Sequence, residues 1–122
     1  MTRFYLLFSA AGLLVIALSY GVAPAEVLPR ALDVTVEGTD LTHIFRAVMG
    51  LYLGMVVFWI MGARSARFQD AALCSLIVFM LGLAAGRVLS MVIDGMPHPL
   101  LVLYAVLEIG FGGVGLVLLR NG

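Results

Sequence analysis

Gly82-Leu83-Ala84-Ala85-Gly86-Arg87-Val88-Leu89-Ser90-Met91-Val92-Ile93-Asp94-Gly95-Met96-Pro97-His98-Pro99 is the stretch whose reading decides the fold. It closes one long apolar run, turns over residues 94–98 and opens a second apolar run that reaches Leu107-Glu108. Two such runs joined by a short turn read as a helical hairpin. Arg87 and Glu108 lie inside segments long enough to cross a bilayer, where a charge is costly and survives only when paired or facing a polar interior. Any account of the chain has to say where these two charges go.

Composition fixes the solvent. The chain has 122 residues, of which 63% are hydrophobic and 11% charged, and its mean hydropathy is +1.15. Soluble domains carry about 25% charged residues. A chain this apolar has too little polar surface to cover itself in water, so lipid is the expected surrounding. The seven basic residues are all arginine and balance seven acids. No basic block interleaved with aromatics points to nucleic acid. The single cysteine, Cys74, excludes a disulfide framework within one chain and reads as a small buried hydrophobe.

Four apolar runs set the architecture, over about 4–22, 43–63, 71–93 and 99–119. About twenty helical residues, at 1.5 Å each, cross a hydrocarbon core of roughly 30 Å. The expected fold is therefore an all-α, integral membrane four-helix bundle running up-down-up-down, one transmembrane domain over 1–122. The first run has a rival reading. Arg3, the apolar stretch and Ala23-Pro24-Ala25 mimic a cleavable signal peptide, but the run exceeds the usual 7–15 apolar residues of that segment, which favours a retained helix.

Between the first two spans, residues 23–42 form the only long polar stretch. Pro24 and Pro29 read as helix stops. Leu32-Asp33-Val34-Thr35-Val36-Glu37 alternates like a short strand, and Asp40 or Thr42 is placed to cap the following helix. An extended outer loop across the helix ends is expected here. Gly50 with Gly54, and Gly82 with Gly86, have the four-residue spacing that lets helix backbones approach in lipid, and packing within the chain is preferred to a dimer interface. Gly110, Gly112, Gly113 and Gly115 make the later half of the fourth span thin, so a neighbouring helix is expected to sit close there. Trp59 reads as an interfacial aromatic. Residues 64–70 read as a short basic turn. Arg3, Arg64, Arg67 and Arg120 mark one side of the membrane, and Arg30 sits among acids on the other. Cytoplasmic loops carry the basic excess, so both termini are expected in the cytoplasm.

The charged residues then form a constellation. Arg87, Ser90 and Asp94 are spaced to share one stripe of the third span. Counted from the turn, Arg87 and Glu108 differ by three residues, roughly 4.5 Å along antiparallel axes, so the two can pair in the outer half of the membrane. Arg46, one turn into the second span with His43 on its face, is placed to reach Asp94, Glu108 or an acid of the 23–42 loop. Tyr52, Tyr104 and His98 lie toward the same end. The structural reading is an ion network that fixes helix register. The functional reading is a polar cavity that takes a ligand or handles protons.

Catalytic signatures do not accompany it. The chain lacks a nucleophile elbow and a phosphate loop. The spacing of His43 and His98 is too nonspecific for a metal site. Neither a metal nor a cofactor is expected. Phe45-Arg46-Ala47-Val48-Met49-Gly50-Leu51-Tyr52-Leu53-Gly54 with Trp59, then Gly82-Leu83-Ala84, Gly86-Arg87, Ser90, Asp94-Gly95-Met96-Pro97 and Leu107-Glu108, resemble bacterial four-helix membrane proteins known only as a domain of unknown function, number four-three-four-five. The resemblance covers nearly the whole chain. It implies four spans in a bacterial inner membrane and groups Arg46, Tyr52, Arg87, Ser90, Asp94 and Glu108. It implies no substrate.

Three functions stay open at this point. The first is a non-enzymatic accessory subunit, or a binder of a hydrophobic ligand. The second is an enzyme on a lipid-soluble substrate, with Glu108 or Asp94 as acid or base. The third is a proton-linked transporter acting as a dimer. The expected partners are the bilayer, a hydrophobic ligand or another membrane protein, with a homo-oligomer as one arrangement.

Overall fold

The computed structural model describes residues 1–121. Its helices are α1 (Thr2–Gly21), α2 (Pro24–Ala31), α3 (Gly38–Arg64), α4 (Ala66–Asp94) and α5 (Pro99–Asn121). Among the described residues there is no strand. α1, α3, α4 and α5 are long and apolar enough to cross a membrane, and the protein is an all-α, multi-pass bundle. α1 packs mainly on α3, α3 on α4, and α4 on α5, while α1 and α5 barely touch. That unequal contact shapes the site described below.

The stretch between the first two spans departs from expectation. Pro24 begins a helix rather than ending one: it occupies the first turn of α2, where a missing N–H costs nothing. Glu26 in the first turn and Arg30 in the last complement the helix dipole. Asp33, at φ 58°, ends α2 in the left-handed region that aspartate tolerates better than most residues. Only residues 33–37 remain irregular, so the expected strand is not formed. Leu28, Leu32 and Val36 are buried, so this short amphipathic segment is a strap across the bundle end. α3 then starts at Gly38, whose φ of +84° suits glycine. Neither Asp40 nor Thr42 caps it. The residue before the helix is Glu37, without a side-chain cap bond, and the Thr42 hydroxyl instead donates to the Gly38 carbonyl at 3.0 Å.

The other two turns are tighter than the sequence suggests. Ser65 alone separates α3 from α4, so most of the basic stretch 64–70 is helical. α4 ends at Gly95, with φ +97°. The His98 imidazole Nδ1 accepts the Leu100 N–H at 3.1 Å and so caps the N-terminus of α5, an orphan donor that every helix start must satisfy.

The core is a seam of alternating large and small side chains. On α1 the buried positions Leu6, Ala10, Leu13, Ala17 and Tyr20 alternate steps of four and three, the spacing of helices packed at a shallow left-handed angle. Tyr52, Val56, Trp59 and Ala63 repeat the pattern on α3. Trp59 does not face outward from the bundle. It is fully buried, and its indole N–H donates to Ser75 Oγ at 3.1 Å, because a buried indole needs a partner. Cys74 also differs from expectation, lying exposed on the outer face of α4.

Of the expected glycines, Gly112 and Gly115 of α5 make close contacts, whereas the four-residue pairs of α3 and α4 do not. A Cβ at Gly50, Gly54, Gly82 or Gly86 would meet nothing within 4 Å. Four-residue spacing places two glycines on one face but does not say which face. Close approach occurs at Gly21 against Met49, Gly62 against Ala72, Gly112 against Leu81, and Gly115 against Ile77. Gly62→Leu is therefore expected to destabilise the bundle by about 1–3 kcal/mol, the usual cost of overpacking, whereas Gly54→Leu should leave thermal unfolding in detergent unchanged. Equal melting of the two variants would contradict this assignment.

Candidate functional site

Arg87 and Glu108 meet. Arg87 Nε donates to Glu108 Oε1 at 2.7 Å across the α4–α5 seam. Their apolar flanks leave no other way to hold two charges at this depth, and Glu108 is only 8% exposed. The bond uses Nε rather than the two terminal amino groups. Around the guanidinium stand aromatic hydroxyls. The Tyr104 ring lies 5.6 Å from its central carbon, in range for a cation–π contact. Tyr20 also approaches Arg87, and Tyr20 packs against Tyr52 with ring centroids 6.0 Å apart.

Two cavities adjoin this cluster. The inner one, about 490 Å³, lies between α1, α4 and α5 and is lined among others by Phe8, Ser9, Gly12, Phe79, Leu107 and Phe111. The outer one, about 590 Å³, lies beneath the α2 strap and is lined among others by Leu28, Leu32, Phe45, Gly82, Gly86 and Ser90. Tyr52, Leu83 and Arg87 line both and so form the partition between them. Several lining residues of the inner cavity are well exposed, Phe8, Val15 and Leu107 among them, so it opens sideways between α1 and α5, toward where acyl chains would lie.

The inner cavity is closed at its far end. The Tyr5 hydroxyl donates to the Phe111 carbonyl, and Phe111 packs edge-on against Tyr5 and Phe8. From that clasp, Ser9 lies four residues along α1 and Glu108 three residues back along antiparallel α5, each about one turn of roughly 5 Å. Ser9 and Glu108 therefore face the cavity at similar depth. Ser9 Oγ is buried and has no hydrogen-bond partner among the described residues.

Of the residues singled out from the sequence, Arg87, Glu108, Tyr52 and Tyr104 come together. Ser90 lines the outer cavity, and its hydroxyl donates to Asp94 Oδ2 at 3.0 Å, at the exposed end of α4. Asp94 makes no ion pair among the described residues. Arg46 does not join the network either. Its guanidinium donates to the Gly21 carbonyl at 3.1 Å, satisfying a carbonyl that the end of α1 leaves free. His43 lies with Arg46 in a shallow exposed pocket, and His98 serves as the α5 cap. Gly82 and Gly86 leave room in the outer cavity rather than drawing helices together.

Sequence reasoning missed Ser9, Tyr20 and Phe111. Ser9 carried a signal, as a hydroxyl within an apolar run one turn from Tyr5. Phe111 carried none, because its role lies in a backbone carbonyl.

A family model described as Domain of unknown function (DUF4345) matches residues 1–119. The chain belongs to this family. No curated protein and no solved structure matches it. The match takes in Arg87 and Glu108 and nearly all of the four long helices.

Breaking the pair from either side should be costly, about 3–5 kcal/mol when a buried partner is stranded. A carboxylate can be neutralised by taking up a proton, whereas a guanidinium cannot release one. Glu108→Gln should therefore destabilise more than Arg87→Leu. A double-mutant cycle on unfolding in detergent should return a coupling above roughly 0.5 kcal/mol. Additive effects would mean that the pair does not form in the folded protein.

Proposed function

We propose that this protein binds an amphipathic lipid within the membrane, with its hydrocarbon chain in the inner cavity and its polar end at the Arg87–Glu108 pair. The observation that carries this reading is the shape of the inner cavity: apolar, laterally open, about 490 Å³, and ended by the ion pair. Ligand sites are typically 300–1,000 Å³, mostly apolar, with a few placed polar groups. A purely structural ion pair needs no adjoining cavity, and a tightly packed core would have left none. In this reading the protein is a binding protein rather than an enzyme. It lies in a bacterial inner membrane with both termini cytoplasmic, an orientation supported by the arginines at the Arg3, Arg64, Arg67 and Arg120 end.

Native mass spectrometry of gently extracted protein should show lipid retained at about one molecule per chain, the stoichiometry of a single well-formed pocket. Gly12 lines this cavity, and a Cβ there meets nothing within 4 Å, so Gly12→Phe should fill the space without straining the bundle. Loss of the bound lipid with unchanged melting is the expected result. Retention of lipid by Gly12→Phe would place the ligand elsewhere. A periplasm-active reporter joined after Gly122 that works in cells would overturn the orientation.

A further inference from the structure

We infer that the lipid held at this site is electrically neutral and carries a carbonyl oxygen in its head, as an ester or ketone lipid does, and that Ser9 donates a hydrogen bond to it. This rests on the binding reading above and names the class of ligand.

Charge comes first. Arg87 and Glu108 already cancel, and the rest of the inner cavity offers no third formal charge. A neutral head leaves the site neutral. An anionic head leaves one uncompensated negative charge in an apolar surrounding, a cost of several kcal/mol in effective terms.

Hydrogen bonding comes second. The groups around the cavity are rich in donors. Arg87 engages Glu108 through Nε, which leaves its terminal amino groups outside that bond, with Tyr20 near the guanidinium and the Tyr104 ring 5.6 Å from its central carbon. Ser9 Oγ, 99% buried and without a partner among the described residues, stands on the opposite wall at the depth of Glu108. A buried hydroxyl left unpaired is destabilising, and such groups are uncommon enough to call for a reason. An acceptor oxygen between α1 and α5 would satisfy it. A carbonyl, with two lone pairs, can accept from Ser9 and from the arginine side together.

The test compares two probes with the same tail, 1-monooleoylglycerol and oleate, titrated into delipidated protein at pH 8 and read by native mass spectrometry. Wild type should bind monooleoylglycerol at least about tenfold more tightly than oleate, as one uncompensated charge requires. Ser9→Ala removes only an unpaired hydroxyl and should fold normally, yet it should weaken monooleoylglycerol about fivefold, the size of one hydrogen bond. Glu108→Gln leaves Arg87 uncancelled, so the preference should reverse toward oleate, and oleate should restore part of the variant's lost thermal stability.

Equal or tighter binding of oleate by wild type, with Gly12→Phe abolishing it, would overturn the neutral-head inference and leave the cavity reading standing. Unchanged monooleoylglycerol affinity in Ser9→Ala would overturn the assignment of Ser9. Binding of neither probe would overturn the inference and the binding reading together.

Discussion

The register of α4 against α5 depends on one contact, the 2.7 Å bond between Arg87 and Glu108. In water, apolar faces find each other because water excludes them. In a bilayer the lipid tails are as apolar as leucine, so helix association rests on close packing and on polar contacts between helices. α4 and α5 are apolar on nearly every side and have little else to set their register. A charged pair sets it sharply, because sliding by one turn would strand both ions. Net stabilisation from a buried pair is small compared with the cost of separating it. Its effect is therefore to select one register, and with that register it places Leu81 against Gly112 and Ile77 against Gly115.

How much of this could be read from the chain differs by element. The four spans were legible because hydropathy and length alone specify them. The Arg87–Glu108 pair was legible because a short turn fixes depth on both sides, and depth arithmetic needs only a rise per residue. Faces were not legible. Gly50 and Gly54 satisfy a packing motif yet are exposed, while Gly62, without that spacing, makes a close contact; only the glycine-rich half of α5 was legible as thin, and Gly112 and Gly115 admit α4 there. A membrane helix is apolar on both its lipid face and its buried face, so periodicity cannot separate them as it does in a soluble helix. Arg46 and Trp59 failed for the same reason: each has a polar group whose partner, the Gly21 carbonyl or Ser75, is chosen by rotation about the helix axis. The α2 helix was missed because proline was read as a stop where its position made it a start.

The site lies between two clasps across the bundle. Tyr5 to the Phe111 carbonyl closes one end of the α1–α5 gap, and the ion pair with its tyrosines bounds the other. Between them, Ser9 and Gly12 present a hydroxyl and a gap where a larger side chain would seal the wall. Tyr20, Tyr52, Phe79 and Trp59 then continue as a chain of touching rings, which stiffens the wall opposite the opening. A cavity needs such a rigid side, since a soft one would collapse onto the space and recover the lost packing contacts.

Chain order explains why the opening lies where it does. Three of the four seams around the bundle join elements consecutive along the chain: α1 and α3 through the α2 strap, α3 and α4 through Ser65, and α4 and α5 through residues 95–98. The seam between α1 and α5 joins elements far apart in sequence and has no such tie. Separating those two helices strains no turn, whereas widening the α3–α4 or α4–α5 seam would pull on a connection of one or four residues. A lipid-facing entrance is therefore least costly at α1–α5. That seam already holds the inner cavity, and the polar groups nearest to it, Ser9, Glu108 and Arg87, are the ones the binding reading requires.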